Sequence, residues 1–152
     1  MSHDHHITVA AMCERDGKYL VIEERANGKL VFNQPAGHLE RDESLLQAVV
    51  RETREESGWQ FQPTALLGLY LWQHPQKHSS ILRLAIIGDC SDHNPQQALD
   101  DGIERALWMS RDELAASGRL RSPLVLQSID DYIHGQRLPL SAMSDLVTGY
   151  SA

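Results

Sequence analysis

The segment from Ser44 to Gly58 constrains the fold more than any other, because it has a helical pattern between stretches typical of β-strands. Ser44, with Gln47 three residues later, has the form of a capping box, and Gly58 suits the position just past a helix end. Four residues at helical spacing form a core-facing stripe: Leu46, Val49, Val50 and Thr53. The sequence therefore predicts a helix over Ser44–Ser57.

Strand patterns flank this helix on both sides, separated by turn signals at Asp16-Gly17 and Asn27-Gly28. The predicted strands are His6–Cys13, Lys18–Glu24, Lys29–Phe32, Thr64–Gln73, Ser80–Gly88 and Glu104–Met109. The Asp16-Gly17 turn predicts that the first two strands form a hairpin. Further helices are expected at Arg111–Ala116 and Pro123–His134, and the stretch Cys90–Asp101 is polar and irregular. This order predicts an α/β (α+β) fold, a sandwich with a mixed sheet between helices, in one domain over 1–152.

The composition excludes several classes of protein. The formal net charge of −7 argues against a nucleic-acid partner, which would need a basic surface. No apolar run is long enough to span a bilayer, and we expect no membrane partner. The first residues lack the form of a secretory signal, and Cys13 and Cys90 suit two reduced thiols, so we expect a cytoplasmic protein. His3, His5 and His6 are interpreted as part of a flexible tail.

Three carboxylates lie on one face of the predicted helix, because Glu52, Glu55 and Glu56 are spaced by three and four residues. Each like-charge pair costs roughly 0.2–0.5 kcal/mol on an exposed helix. A hard cation would relieve this repulsion, and oxygen-only ligands favour Mg²⁺, with Mn²⁺ possible. The alternative is a solvated acidic face. The carboxylate face adjoins the apolar stripe and includes the small Ala48, which favours the wall of a cleft.

The stretch Asn33–Glu40 is expected to form a loop leading into the helix. Gly37 within it would let the backbone approach a ligand closely or adopt a positive φ, and its carbonyl could be a further oxygen ligand. A simple turn is the alternative for a single glycine.

Gly37, Glu43 and the run Arg51–Trp59 together resemble the Nudix box, G-x5-E-x7-R-E-U-x-E-E-x-G-U, where U is a bulky apolar residue. All fixed positions match, whereas Thr53 departs from an aliphatic U and Trp59 is a less usual one. Outside this box at 37–59, three segments resemble the NudJ-type bacterial phosphatases: Asn33–Glu40, Leu120–Val125 and Gly135–Leu140.

The resemblance implies roles for the box residues. Glu52, Glu55 and Glu56 would hold divalent ions, and a glutamate, most often at the position of Glu52, would help to deprotonate the attacking water. Arg51 would orient the glutamates by charge-assisted hydrogen bonds, with Glu43 as a partner, or would contact substrate directly. The family often places a further acidic group on a later strand, for which Glu104 is the candidate, although it could be an ordinary strand carboxylate.

Three residues on the later strands are candidates for substrate binding. Arg83 interrupts an apolar strand, so it would either reach a phosphate or pair with a carboxylate in the cleft, unless it lies at a strand edge. Tyr70 and Trp72 share one strand face and could stack on a nucleobase or pyrimidine ring, or simply pack.

The resemblance implies Mg²⁺-dependent hydrolysis of phosphoanhydride bonds in nucleoside di- and triphosphates and in small pyrophosphates such as hydroxymethylpyrimidine pyrophosphate. One alternative is a house-cleaning pyrophosphohydrolase for oxidised nucleotides, which releases pyrophosphate. Another is a domain that only binds its ligand. The expected partner is a small nucleotide or pyrophosphate, and both a monomer and a homodimer remain open.

Overall fold

The computed structural model describes residues 2–146, so Met1 and residues 147–152 of the predicted domain lie outside the described residues. The strands are β1 Asp4–Met12, β2 Glu14–Arg15, β3 Lys18–Ala26, β4 Lys29–Asn33, β5 Ala36–His38, β6 Gln60–Gln73, β7 Ser79–Ser91 and β8 Ile103–Ser110. The helices are α1 Leu45–Ser57, α2 Arg111–Ser117 and α3 Leu124–Ile133, followed by a short 3-10 helix at Leu140–Ala142. None of the helices in this range is long and apolar enough to cross a bilayer.

The strands form two sheets. The first has the order β5-β1-β7-β6, in which β1 runs parallel to β7 while the other pairs are antiparallel. The second is antiparallel and centres on β3, which pairs with β2, β4 and β8. The prediction of a mixed sheet is therefore confirmed.

The predicted hairpin between the first two long strands is wrong. The Asp16-Gly17 turn joins β3 to the two-residue β2, whereas β1 belongs to the other sheet. The reason lies in the burial of β1, whose residues from Val9 to Met12 are all buried. A strand covered on both faces suits the interior of a sheet, where β1 lies between β5 and β7.

Helices cover both faces of the first sheet, which confirms the predicted sandwich. On β7, Leu84 and Ile86 belong to the apolar cluster that contains Val49 of α1. The alternating residues Ala85 and Ile87 belong to the cluster that contains Ile129 of α3. Because side chains alternate between the two faces of a strand, β7 contributes to one apolar core under each helix.

The ends of α1 follow its local sequence. Both hydrogen bonds of the Ser44–Gln47 capping box are present, and Gly58 has a left-handed φ of 74°. The beginning of the chain differs from the prediction of a flexible tail, because His5 and His6 lie in β1. The Nε2 atom of His3 lies 2.6 Å from the hydroxyl of Ser80. Pairing with β7 along the whole of β1 extends the strand to Asp4.

Candidate active site

A cleft of about 420 Å³ lies where the two sheets meet α1. Both sheets, α1 and the segments before α1 and α3 contribute to its walls. The lining residues are Thr8, Glu24, Asn33, Ala36, Gly37, His38, Leu39, Glu40, Glu52, Glu56, Trp72, Ile81, Arg83, Arg121 and Ser122. Acidic, basic and apolar side chains therefore face the same space, as expected of a site for a small charged ligand.

The carboxylate face of α1 forms one wall of this cleft. Glu52 and Glu56 are buried, with 8% and 7% of their surface exposed, and both line the cleft, whereas Glu55 is half-buried and outside the lining. Ala48, whose small side chain favoured the wall of a cleft, is instead fully buried in the apolar cluster beneath α1. The inward side of α1 thus changes from apolar to acidic along its length.

Gly37 lies in β5, opposite Val9 of β1, and not in the predicted loop. Its backbone lies outside the left-handed region. A Cβ built at this position would overlap the carboxylate of Glu52. The group that closely approaches Gly37 is therefore the Glu52 side chain, and not a ligand as predicted. This side chain passes over β5 to reach the cleft.

Glu56 is the most buried carboxylate of the helix face. Its Oε1 accepts a hydrogen bond of 2.8 Å from the backbone N–H of Ala36. Burial and, to a smaller extent, the nearby Glu52 carboxylate together raise the pKa of Glu56 to about 9, against the lowering effect of the hydrogen bond from Ala36. Burial also raises the pKa of Glu52. Both carboxylates would be stabilised in their charged form by a cation in the cleft.

Arg51 connects Glu43, which precedes α1, to Glu52 and Glu55 on the helix. Its guanidinium donates two hydrogen bonds to Glu43, one of them 2.9 Å long from Nη2. Nη1 donates to Glu52 over 2.8 Å and to Glu55 over 3.1 Å. The geometry brings Arg51 and Glu43 together as the sequence suggested, and it leaves Arg51 outside the cleft lining.

Asp100 joins Glu52 and Glu55 in a cluster of carboxylates. One oxygen from each of the three residues lies within 4.8 Å of the other two. These donors are hard oxygens, which fit Mg²⁺ or Mn²⁺ better than a metal that prefers nitrogen or sulfur. Asp100 is not predicted from the sequence, because its only sequence feature is its place at the end of a polar, irregular stretch.

The loop that carries Asp100 is bonded to the end of α1. His93 stacks on Trp59 with ring centroids 4.5 Å apart. The N–H of Asn94 donates to the carbonyl of Gly58 over 2.9 Å, and the N–H of Asp100 donates to the carbonyl of Glu55 over 3.0 Å. These contacts fix the position of Asp100 relative to the helix carboxylates.

The structure places some of the residues predicted to bind substrate in the cleft and others outside it. Arg83 and Trp72 line the cleft, and Arg83 is 5% exposed. Tyr70 lies outside the lining and its hydroxyl donates a 2.7 Å hydrogen bond to Asp131 of α3. Glu104 also lies outside the lining, on β8, where it forms an exposed ion pair of 2.8 Å with Arg25.

Comparison with known proteins agrees with this geometry. The family profile described as NUDIX domain matches residues 4–128. Phosphatase NudJ of Escherichia coli (strain K12) is 42% identical over 140 residues, which cover 92% of this chain and 91% of the relative. The same protein name and values apply to a relative from Shigella flexneri.

Solved structures give the same result. A NUDIX hydrolase from Nitrosomonas europaea has a TM-score of 0.90 and 43% identity, and the match covers 93% of this chain and 97% of that one. A MutT NUDIX hydrolase from Burkholderia pseudomallei has a TM-score of 0.72 and 20% identity, covering 85% and 98%, and supports the fold alone. The chain belongs to the Nudix hydrolase family.

Proposed function

We propose that this protein is a Mg²⁺-dependent phosphohydrolase of nucleoside di- and triphosphates and related small pyrophosphates, such as hydroxymethylpyrimidine pyrophosphate. The observation that supports this best is the cluster of Glu52, Glu55 and Asp100 beside a cleft that also contains a buried arginine, Arg83. Hydrolysis of a polyphosphate needs an activated nucleophile and compensation of the negative charge of the substrate. The carboxylate cluster would hold the cation that activates water, and Arg83 would offset negative charge. The name of the relative, Phosphatase NudJ, supports the same class of reaction.

The proposed metal ligands are the oxygens of Glu52, Glu55 and Asp100, with Glu56 and the carbonyl of Gly37 as further candidates. Mn²⁺ could replace Mg²⁺ at such a site. When bound, the cation offsets phosphate charge and makes a bound water more acidic.

The protein's own residues hold the reacting groups in place. Glu52 is our candidate for accepting the proton of the attacking water, with Glu55 as the neighbouring carboxylate, and Arg51 holds both by hydrogen bonds. Trp72 would pack against the organic part of the substrate. The hydrogen bond of Tyr70 to α3 and the exposed position of Glu104 favour structural roles for these two residues.

A substrate panel with Mg²⁺ tests the proposal, scored separately for released orthophosphate and pyrophosphate. We expect orthophosphate from nucleoside di- and triphosphates and from hydroxymethylpyrimidine pyrophosphate, with no release in EDTA. Release of pyrophosphate from oxidised nucleoside triphosphates would instead favour the house-cleaning activity. Binding without turnover under every metal condition would favour a binding domain.

The loop contacts lead to a separate prediction for His93→Ala. Loss of the stack on Trp59 should free the loop and move Asp100 away from Glu52 and Glu55 part of the time. We expect the Mg²⁺ concentration for half-maximal activity to rise about tenfold, the lower range for loss of a residue that orients metal ligands. Activity at saturating Mg²⁺ should change little. His78→Ala, an exposed histidine in the β6–β7 loop, is the control and should leave the Mg²⁺ dependence unchanged.

A further inference from the structure

Two buried side-chain atoms in residues 2–146 have no hydrogen-bond partner, namely Oγ1 of Thr8 and Nε of Arg83. Buried polar atoms without a partner are rare in folded proteins, and each such atom needs a reason. Both residues line the cleft described above. Two residues that line the same cavity therefore each carry a buried polar atom without a hydrogen-bond partner.

The two residues lie next to each other on the floor of the cleft. Thr8 of β1 and Arg83 of β7 are register partners on adjacent parallel strands. Partners in register project their side chains to the same face of a sheet. A single ligand group can therefore meet the hydroxyl and the guanidinium together.

The guanidinium of Arg83 also lacks a counterion. Nη1 donates to the side-chain oxygen of Gln34 and Nη2 to that of Asn33, each over 3.2 Å, and both acceptors are neutral amides. Among residues 2–146, no carboxylate lies within ion-pair distance of it. Burial lowers the pKa of Arg83 to about 10, so the group remains cationic at neutral pH.

The nearby carboxylates are engaged elsewhere. Glu24 forms an ion pair of 3.2 Å with Arg121, and Glu56 accepts from the backbone of Ala36. A buried cation without a partner is costly for folding unless a bound anion completes it. The two amides hold the guanidinium in place and leave Nε free to donate.

We propose that Arg83 and Thr8 form an oxyanion subsite that binds a phosphoryl group of the substrate. This inference rests on the proposed function, since it assumes that the cleft receives a phosphorylated small molecule. The subsite is distinct from the carboxylate cluster of Glu52, Glu55 and Asp100. It would bind the phosphoryl group through protein side chains and not through a bound cation.

The test uses imidodiphosphate, a pyrophosphate analogue with a P–N–P link, titrated calorimetrically in the presence of Mg²⁺. Thr8→Val removes the unpartnered hydroxyl at nearly constant volume. We expect its imidodiphosphate Kd to rise about 10- to 100-fold, the range for one hydrogen bond to a charged acceptor. The melting temperature should stay unchanged or rise, because no internal hydrogen bond is lost. If the hydroxyl had a structural role, the melting temperature of Thr8→Val would fall.

Arg83→Gln should weaken imidodiphosphate binding about tenfold or more, since it removes a charge-assisted contact. Arg105→Gln is the matched control, because Arg105 is an exposed arginine outside the cleft that pairs with Glu23. It should bind like the wild type. If Arg83→Gln does not fold, Thr8→Val decides the question.

Binding of a nucleoside without phosphate, measured in parallel, identifies the group that is recognised. Unchanged nucleoside binding together with weakened imidodiphosphate binding supports the subsite. The proposal is overturned if the wild type does not bind imidodiphosphate, if both variants bind it like the wild type, or if only nucleoside binding is lost. A wild type that binds imidodiphosphate through Arg83 but hydrolyses no substrate would support the subsite and contradict the proposed function.

Discussion

Glu56→Gln should fold like the wild type and lose turnover roughly 100-fold, which corresponds to about 2.7 kcal/mol of lost charge stabilisation. The substitution removes one negative charge at nearly constant volume. The amide oxygen of glutamine can still accept the hydrogen bond from Ala36, so the local backbone contact is retained. Initial rates with saturating Mg²⁺ and circular dichroism of the same samples measure the two effects.

Glu113→Gln is the control for this variant. Glu113 is an exposed glutamate of α2 outside the cleft, and glutamine at its position is compatible with the capping box to Ser110. It should keep the wild-type rate. Wild-type turnover in Glu56→Gln would contradict the assignment of Glu56 to the metal site.

The same variant has an expected effect on stability without metal. Burial raises the pKa of Glu56 from its ordinary value of 4.5 to about 9 in the folded protein, so the folded state binds this proton more tightly than the unfolded state. The resulting stabilisation is complete below pH 4.5 and is lost as the pH rises to about 9. In EDTA, the melting temperature of Glu56→Gln should therefore fall less than that of the wild type between pH 5 and pH 9.

Thermal unfolding of both proteins across that pH range checks this expectation. If both melting temperatures fall in parallel, the Glu56 proton makes no contribution to stability. A Mg²⁺-induced rise in melting temperature that grows with pH in the wild type alone would support competition between the cation and this proton.

The elements that the sequence predicts well are those specified by neighbouring residues. The helix α1 has its cap, its apolar stripe and its terminal glycine within one segment, so it forms as expected. The partner of β1 is decided by residues about seventy positions away on β7, which a local turn signal cannot reveal. The three-residue strand β5 depends on its pairing with β1 for the same reason.

The residues of the candidate site also differ in whether neighbouring residues specify their position. The shared face of Glu52, Glu55 and Glu56 follows from helical spacing alone. Asp100 could not be predicted, because contacts such as the His93–Trp59 stack bring its loop to α1. Arg83 was ambiguous between the cleft and a strand edge, since only the packing of both sheets decides whether an arginine in an apolar strand is buried.

Arg51→Lys should lower both stability and turnover, because a single ammonium cannot replace the fork that joins Glu43, Glu52 and Glu55. The side chains of Arg51, Glu43 and Glu52 are only 15%, 11% and 10% exposed, so solvent screens their interactions weakly. We expect a loss of roughly 2 kcal/mol in the free energy of unfolding, from charge-assisted hydrogen bonds of about 1.5–3 kcal/mol each. This corresponds to a fall of about 4–8 °C in melting temperature for a chain of this size.

The turnover of Arg51→Lys separates a positioning role from a purely structural one. If Arg51 orients Glu52 and Glu55 for the metal, the Mg²⁺ concentration for half-maximal activity should rise about 10- to 100-fold, as for other residues that orient metal ligands. Arg54→Lys is the control, because Arg54 is exposed on the outer side of the same helix and should retain wild-type stability and Mg²⁺ dependence. A loss of stability with unchanged Mg²⁺ dependence would limit Arg51 to holding Glu43 at the start of α1. A loss of stability together with a higher Mg²⁺ requirement would show that the same guanidinium stabilises the helix start and the carboxylate cluster.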